Sequence, residues 1–460
     1  MTLEGMKKIH FIGIGGIGMS AIAEILLALG YEVSGSDVAL SSRVERLMAL
    51  GAQINIGQSA EHIRPDMDLV VHSTAIRPEN PERQAAAQQQ IPVCHRSEVL
   101  GELMRTRKGI CVAGSHGKTT TSSMISLILE QNGLDPTIVV GGVINEIGSN
   151  AKLGKGPHLV AEADESDGSF LNLYPWYTIV TNVEEDHLDH YKDITAIQEI
   201  FRQFVQKTDE NGRVVLCADC PEALALREKS PAKVVSYGFS EAADYQIRHH
   251  AQKGALNEAD IYYAGDRLGH LSLTIPGKHN MLNALAATVC GLDLGLPFDK
   301  VAQALYAFHG TRRRFQLVGA VADIQVIDDY AHHPTEIQAT LRAAREVAAN
   351  RLICVFQPHR YTRTQLLQDE FAAAFDAADI LVFTDVYSAG EQPIPGIDGA
   401  LLARLVTERA HNENQEIRYV ADKKELPTYL QDLVHQGDMM IVMGAGDICE
   451  CGYALARQWK

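Results

Sequence analysis

Residues 109–121, Gly-Ile-Cys-Val-Ala-Gly-Ser-His-Gly-Lys-Thr-Thr-Thr, constrain this chain more than any other stretch. The apolar run Ile110 to Ala113 reads as a buried strand. Gly114 and Gly117 permit a tight turn, and an amphipathic helix (Met124, Leu127, Ile128) begins at Thr119. Such a strand, turn and helix start aim backbone N–H groups at one spot, where the cation Lys118 also falls. That is a cradle for nucleotide phosphates, built from Gly114, Ser115, His116, Gly117, Lys118, Thr119 and Thr120, with a threonine hydroxyl available to Mg²⁺. The spelling departs from G-x-x-x-x-G-K-[ST], whose first glycine would fall on Val112, so the loop is two residues tighter at its start. As a surface loop it is expected to accept substitution with little effect on folding. A strand–turn–helix carrying Gly-Lys-Thr by chance is the alternative.

With 460 residues the chain is too long for one core, and about 150 residues per domain suggests three. A net charge of −17 argues against a general nucleic-acid or membrane binder, while a few local cations and helix ends still suffice for an anionic substrate. No run approaches the roughly 18 apolar residues of a membrane helix, and the first residues lack a signal peptide's apolar core, so a cytoplasmic protein is expected. The eight cysteines are scattered, several in apolar contexts (Cys111, Cys290, Cys354). Cys217-x-x-Cys220 and Cys449-x-Cys451 together could hold zinc, but reduced structural thiols fit better where no histidine spacing accompanies them.

A strand at residues 7–13 runs into Gly13-x-Gly15-Gly16-x-Gly18 and an apolar helix from Met19 to Leu29; a second strand ends in Asp37. Taken alone this is a dinucleotide fingerprint and a nicotinamide dehydrogenase. Its physics is only a diphosphate at a helix N-terminus, so a UDP-sugar would use it equally, with Asp37 free to meet a ribose or uracil. The strand from Asp68 ends in Ser73 and Thr74 at the ligand edge. From 158 onward apolar residues give way to Glu162-Ala-Asp-Glu-Ser-Asp, and the strand from Tyr177 runs into Glu184-Glu-Asp-His-Leu-Asp-His190. Two acid-rich strand ends in one domain are what a pair of Mg²⁺ ions needs. Asn280 and Asn283 share a face before the helix Ala284–Gly291, placed to bond a nucleotide base. After Thr311-Arg-Arg-Arg-Phe the pattern restarts. A strand from Ala322 to Ile327 leads into Asp328-Asp329-Tyr-Ala-His332-His333-Pro334, and the one at Leu352 leads into Gln357-Pro-His359-Arg360-Tyr-Thr-Arg363. The strand from Asp438 closes in Gly444-Ala-Gly446-Asp447. Strand–helix alternation throughout implies mostly parallel sheets with ligands at the strand carboxyl ends.

Together these motifs resemble the Mur ligase family over the whole chain: Gly-Ile-Gly-Gly-Ile-Gly-Met-Ser, Gly114-Ser-His-Gly-Lys-Thr-Thr-Thr, Glu162-Ala-Asp-Glu-Ser-Asp, Asn182-Val-Glu-Glu-Asp-His, His279-Asn-x-x-Asn-Ala, Arg-Arg-Arg-Phe and Asp-Asp-Tyr-Ala-His-His-Pro. The short phosphate loop is the form that family uses. The resemblance implies an α/β fold of three domains. These are a Rossmann-like domain for the UDP-sugar (1–107), a central P-loop ATPase (108–311), and a C-terminal Rossmann-like domain (312–460) closing over ATP and the amino acid. It implies that the lactyl carboxylate of UDP-N-acetylmuramate attacks the γ-phosphate of ATP, and that an amino acid's amine then displaces phosphate from the acyl phosphate.

The same resemblance distributes the roles. It places Lys118, Glu162, His187 and Arg314 in catalysis, and Thr119, Glu162 and His187 on two Mg²⁺ ions. Asn280 and Asn283 fall near the adenine, Arg314 near the phosphates and Asp329 on the ribose. Gly15, Gly16, Gly18, Asp37, Ser73 and Thr74 would meet the UDP-sugar, and His332, His359, Arg360 and Arg363 the amino acid and substrate, where a bidentate arginine suits a carboxylate. As alternatives, Arg314 is a surface cation and His332 a helix cap. The segment Pro358–Arg363 points to the branch that adds L-alanine rather than a recycled tripeptide. Several sister ligases carry a carbamylated lysine beyond the equivalent of His187; here Arg202 stands near that position and Lys207 lies further on, so no carbamate is assigned. A monomer or weak homodimer is expected. A P-loop ATPase without ligase chemistry remains a competing class.

Overall fold

The computed structural model describes residues 2–187, 190–321, 323–409 and 414–458. Leu188 and Asp189 of the second acidic cluster, and Ala322 at the start of an expected strand, lie outside them. The chain divides into two compact units, one of residues 1–184, 195–246 and 285–304, the other of residues 185–194, 247–284 and 305–460.

In the first unit, β1 (Lys8–Ile12), β2 (Glu32–Asp37), β3 (Gln53–Ile56), β4 (Leu69–His72) and β5 (Val93–His95) form an all-parallel sheet in the order β3-β2-β1-β4-β5. The order reverses between β1 and β4, so the glycine turn after β1 and the residues after β4 flank the crevice where parallel sheets bind ligands. A second sheet carries β6 (Lys108–Ala113), β7 (Thr137–Ile144), β8 (Ser149–Lys152), β9 (His158–Glu162), β10 (Pro175–Val180), β11 (Arg213–Cys217) and β12 (Lys233–Gly238), ordered β8-β7-β9-β6-β10-β11-β12. Only the β7–β8 edge is antiparallel. With β6 between β9 and β10, the phosphate loop emerges between the ends of two acid-bearing strands. The helix after that loop, Lys118–Gln131, is buried from Thr119 to Leu129, not amphipathic as its sequence suggests. Its hydroxyls make this possible by bonding back along the helix: Ser126 Oγ donates to Ser122 O at 2.7 Å and Ser122 Oγ to Thr119 O at 3.2 Å.

β13 (Tyr245–Lys253) leads into the second unit, where β14 (Leu256–Tyr263) and β15 (Asp266–Leu273) form a hairpin closed by Ala264 and Gly265, both at positive φ. The third sheet lies wholly in this unit: β16 (Gln316–Val321), β17 (Ile324–Asp329), β18 (Leu352–Phe356), β19 (Ile380–Phe383), β20 (Glu416–Tyr419) and β21 (Met439–Met443), ordered β16-β17-β21-β18-β19-β20 and parallel except for the β16–β17 pair. Its central strands are buried on both faces, between clusters around Phe356, Phe371 and Phe375 on one side and Leu426, Leu430 and Leu455 on the other. The helix read as starting at Ala284 begins at Lys278, so Asn280 and Asn283 are inside it. All eight cysteines are free thiols, and no helix among the described residues is long and apolar enough to cross a membrane.

Candidate active site

The phosphate loop is held by the segment just beyond β10. Gly114 turns at φ +139°, and a Cβ there would collide with Thr181 Oγ1, so only glycine fits. His116 N–H donates to Asn182 Oδ1 (2.8 Å), Thr181 Oγ1 donates to His116 O, and Glu184 N–H donates to Ser115 Oγ at 2.9 Å. Gly117, at φ +83°, starts the helix with no capping side chain, which leaves its first turn as the anion-facing end. Lys118 Nζ donates to Gly114 O (2.5 Å), Ser115 O (3.1 Å) and Glu165 Oε1 (2.9 Å). Burial works against this ammonium, but Glu165, Asp164 and Glu162 outweigh it and hold its pKa above the ordinary lysine value. Thr119 Oγ1 donates to Glu162 Oε2 at 2.9 Å, and the same oxygen accepts Gly141 N–H at 2.8 Å. Thr119 and Glu162 thus present hard oxygens to one point beside Lys118, a donor set that suits Mg²⁺. Thr120 is buried in the same turn.

At the N-terminal glycine turn, Gly16 opens the helix Ile17–Ala28, again with no side-chain cap. Asp37 shapes the turn: its Oδ2 accepts Gly15 N–H at 2.7 Å and its Oδ1 accepts Ala39 N–H at 3.3 Å. Ser73 is half-buried and its carbonyl lies 3.0 Å from His72 Nδ1. Thr74 is exposed, donates to Asp167, and lies 3.1 Å from His95 Nε2. Asn150 Nδ2 donates to Ile17 O at 3.1 Å, and Arg96 Nη2 to Asp164 Oδ2 at 3.0 Å. The glycine turn and the acid segment after β9 therefore belong to one connected structure.

In the second unit, Arg363 Nη2 donates to Asp186 Oδ1 at 3.0 Å, and Asp186 also accepts His187 N–H at 2.7 Å. His187 sits at φ +54° and Arg360 at φ +68°, both in the left-handed region, of the kind of backbone strain that clusters at functional sites. Asp186, His187, Arg360, Thr362 and Arg363 line one pocket. Beside it run ring contacts: Tyr330 with His332 at 5.3 Å, His332 with His359 at 5.6 Å, and His359 stacked on Tyr387 at 5.6 Å. Arg363 Nη1 lies 3.3 Å from His359 Nδ1. Burial first, then neighbouring cations, push His359 down to about 3; burial pushes His332 down to about 4, so both rings are neutral near pH 7. The helix cap is His333, which accepts Thr335 N–H at 3.4 Å; His332 is not the cap.

Arg314 is partly buried, 3.5 Å from Glu336 Oε1 and 5.2 Å from the centre of the Tyr330 ring, so it is no loose surface cation. With burial, it drives His279 down to about 4. Asn280 Nδ2 donates to Pro276 O at 2.6 Å, and Asn283 Nδ2 to Asn280 Oδ1 at 3.4 Å; both side chains are buried. Asp329 is 4% exposed, with Oδ2 accepting Phe315 N–H (2.7 Å) and Oδ1 accepting Ala331 N–H (2.8 Å). This carboxylate braces the turn that carries Arg314.

Three family models match in sequence order: "Mur ligase family, catalytic domain" over residues 8–108, "Mur ligase middle domain" over 112–291, and "Mur ligase, glutamate ligase domain" over 313–446. The chain belongs to the Mur ligase family. The UDP-N-acetylmuramate–L-alanine ligase of Desulforamulus reducens is 47% identical over 461 aligned residues, covering 100% of this chain and 99% of that one. The crystal structure of UDP-N-acetylmuramate-alanine ligase MurC from Thermotoga maritima superposes with a TM-score of 0.85 at 32% identity, over 98% of this chain and 99% of the other. A murein peptide ligase from Psychrobacter arcticus gives 0.73 at 25%, over 99% of each. The three-domain α/β architecture is that of this family. Within it, Lys118, Thr119 and Glu162 come together in the first unit, and His187, Arg360, Arg363, His332 and His359 in the second. Sequence reasoning gives no role to Arg96 or Glu336, and it quotes Asn182 in a motif without assigning it one. Arg96 and Asn182 act through partners far along the chain, Asp164 and His116.

Proposed function

We propose that this protein joins L-alanine to the lactyl carboxylate of UDP-N-acetylmuramate, with ATP as the energy source, in peptidoglycan precursor synthesis. The observation that carries this reading is full-length likeness to proteins named for that reaction, with a higher TM-score and identity to an alanine ligase than to the murein peptide ligase. ATP phosphates lie in the loop 114–120, where the helix end and the ammonium of Lys118 meet them. Lys118 then exchanges its loop carbonyls for phosphoryl oxygens while Glu165 keeps it charged. Thr119, Glu162 and His187 would hold Mg²⁺, two ions in this reading, which would supply charge neutralisation for a reaction between two anions. Arg314 faces the phosphates, and Asn280 and Asn283 the adenine, while Asp329 keeps Arg314's turn in place.

The UDP-sugar docks on Gly15, Gly16 and Gly18, with Ser73 and Thr74 at the neighbouring strand end. Arg360 and Arg363 take the carboxylate of alanine, oriented by Asp186 and His359. His332 and His359, neutral at working pH, leave the incoming amine unrepelled. Domain limits at 107 and 311, a cytoplasmic setting and a monomer or weak dimer complete the reading. Phosphate release from ATP with UDP-N-acetylmuramate, assayed separately with each amino acid and with the tripeptide, tests it. Alanine should give the fastest release; release with tripeptide alone would assign the protein to recycling instead.

A further inference from the structure

Arg96 stands where three features meet. It opens the helix Arg96–Met104, whose start is fixed by a reciprocal cap: His95 N–H donates to Glu98 Oε1 at 2.9 Å, and Ser97 N–H donates to His95 Nδ1 at 3.4 Å. One edge of its guanidinium is anchored, Nη2 donating to Asp164 Oδ2 at 3.0 Å. The other edge lies over the glycine turn: a Cβ built on Gly18 would come 3.3 Å from Arg96 Nη1. Gly18 belongs to the first turn of the helix Ile17–Ala28, the turn with no side-chain cap.

An arginine tied down on one edge keeps a fixed fork on the other, and that fork here faces the end of a helix dipole. We propose that Arg96 binds the diphosphate of the UDP-sugar, clamping it against the first turn of the helix at Gly18. This rests on the UDP-sugar reading above and adds to it a residue that none of the glycine motifs contains. A Cβ at residue 18 would press on this guanidinium, at 3.3 Å from Nη1. Because Asp164 ties Arg96 to the segment that also faces Lys118, the clamp sets the UDP-sugar at a fixed position relative to the phosphate loop within the first unit.

The test is calorimetric titration of the full chain with UDP and with uridine, which differ only in the diphosphate. Arg96→Ala should weaken UDP binding about 10- to 100-fold, the range for a lost charge-assisted hydrogen-bonded pair. Uridine binding should stay within about 2-fold of the parent, and Arg96→Lys should fall between. In turnover, the KM for UDP-N-acetylmuramate should rise more than kcat falls, and the KM for ATP should hold. Glu98→Ala loosens the same helix start without removing the cation, so it should leave UDP affinity nearly intact. Unchanged UDP affinity in Arg96→Ala, equal losses for UDP and uridine, or an equal loss in Glu98→Ala would each overturn the clamp. A parent protein that binds no UDP would overturn the functional reading together with it.

Discussion

Replacing Lys118 with methionine removes the ammonium but keeps most of the side-chain volume, so its consequences are electrostatic. The sequence alone puts this loop at the surface and predicts a loss of turnover without a loss of folding. In the structure the side chain of Lys118 is 12% exposed and that of its partner Glu165 2%, with 2.9 Å between Nζ and Oε1. Breaking a buried pair by removing one partner costs about 3–5 kcal/mol, since the remaining charge is stranded. Here the stranded group has an escape, because it can take up a proton. Protonating a carboxylate that titrates near 4.3 in water costs about 4 kcal/mol at pH 7 and about 1 kcal/mol at pH 5. The penalty is therefore capped, and the cap falls with pH. Urea titrations should show Lys118→Met less stable than the parent by about 3–4 kcal/mol at pH 7 and by about 1 kcal/mol at pH 5. In a Glu165→Gln background the difference should be small at both. Turnover measured by phosphate release should fall roughly 10²-fold or more in either background, because the phosphoryl group loses its cation whatever stands at 165. A destabilisation independent of pH, or one that persists with glutamine at 165, would refute the argument.

Gly141→Ala should reduce Mg²⁺-dependent turnover by about 10-fold or more without touching a carboxylate, because the new Cβ collides with the Glu162 side chain; an unchanged Mg²⁺ titration would refute this. His332 and His359 have folded-state values near 4 and 3, below their ordinary 6.5, so the unfolded chain binds more protons as pH falls below about 6.5. Stability should then drop with decreasing pH by about 1.4 kcal/mol per unit for each ring, and removing both rings should flatten the pH dependence of the urea midpoint. Asp328 is 1% exposed, 3.6 Å from Arg313 Nε, and pushed up to about 6, chiefly by burial. Its charged form is the disfavoured one, so stability is lost as pH rises from about 4 through 6. Asp328→Asn should raise stability above pH 6 by up to about 3 kcal/mol, with no gain below pH 4.

The fold is legible where several signals coincide. At β6 and the turn beyond it an apolar run, two glycines and a helix-forming stretch agree, and the order of the second sheet then brings the ends of β9 and β10 to either side of the loop. The hairpin of β14 and β15 is hard to see in sequence because its strands alternate weakly and carry many charges, and its Ala264-Gly265 turn is an unobtrusive signal. Of the antiparallel pair β16–β17 only the second strand is read from the sequence, as a strand from Ala322 to Ile327; nothing marks the strand before it. Nor does the Ser- and Thr-rich helix after the loop announce that it is buried; that depends on hydroxyls finding carbonyls one turn back.

The site shows a sharper division. A polar residue at the carboxyl end of a parallel strand can be placed from sequence, because strand direction fixes which edge it occupies. What its side chain does there depends on which backbone groups need a partner. Asp37 and Asp329 stand at such ends, and both carboxylates are engaged by backbone N–H groups of neighbouring turns. Glu162 stands at another and also accepts a backbone N–H, yet it shares that oxygen with the hydroxyl of Thr119 and so joins the phosphate loop to the acid segment. The difference lies in what packs alongside: a helix-start threonine beside Glu162, a glycine turn beside Asp37, the Arg314 turn beside Asp329. Those neighbours come from sheet order and crossover, so a residue's edge can be read one strand at a time, whereas its chemistry depends on the whole sheet.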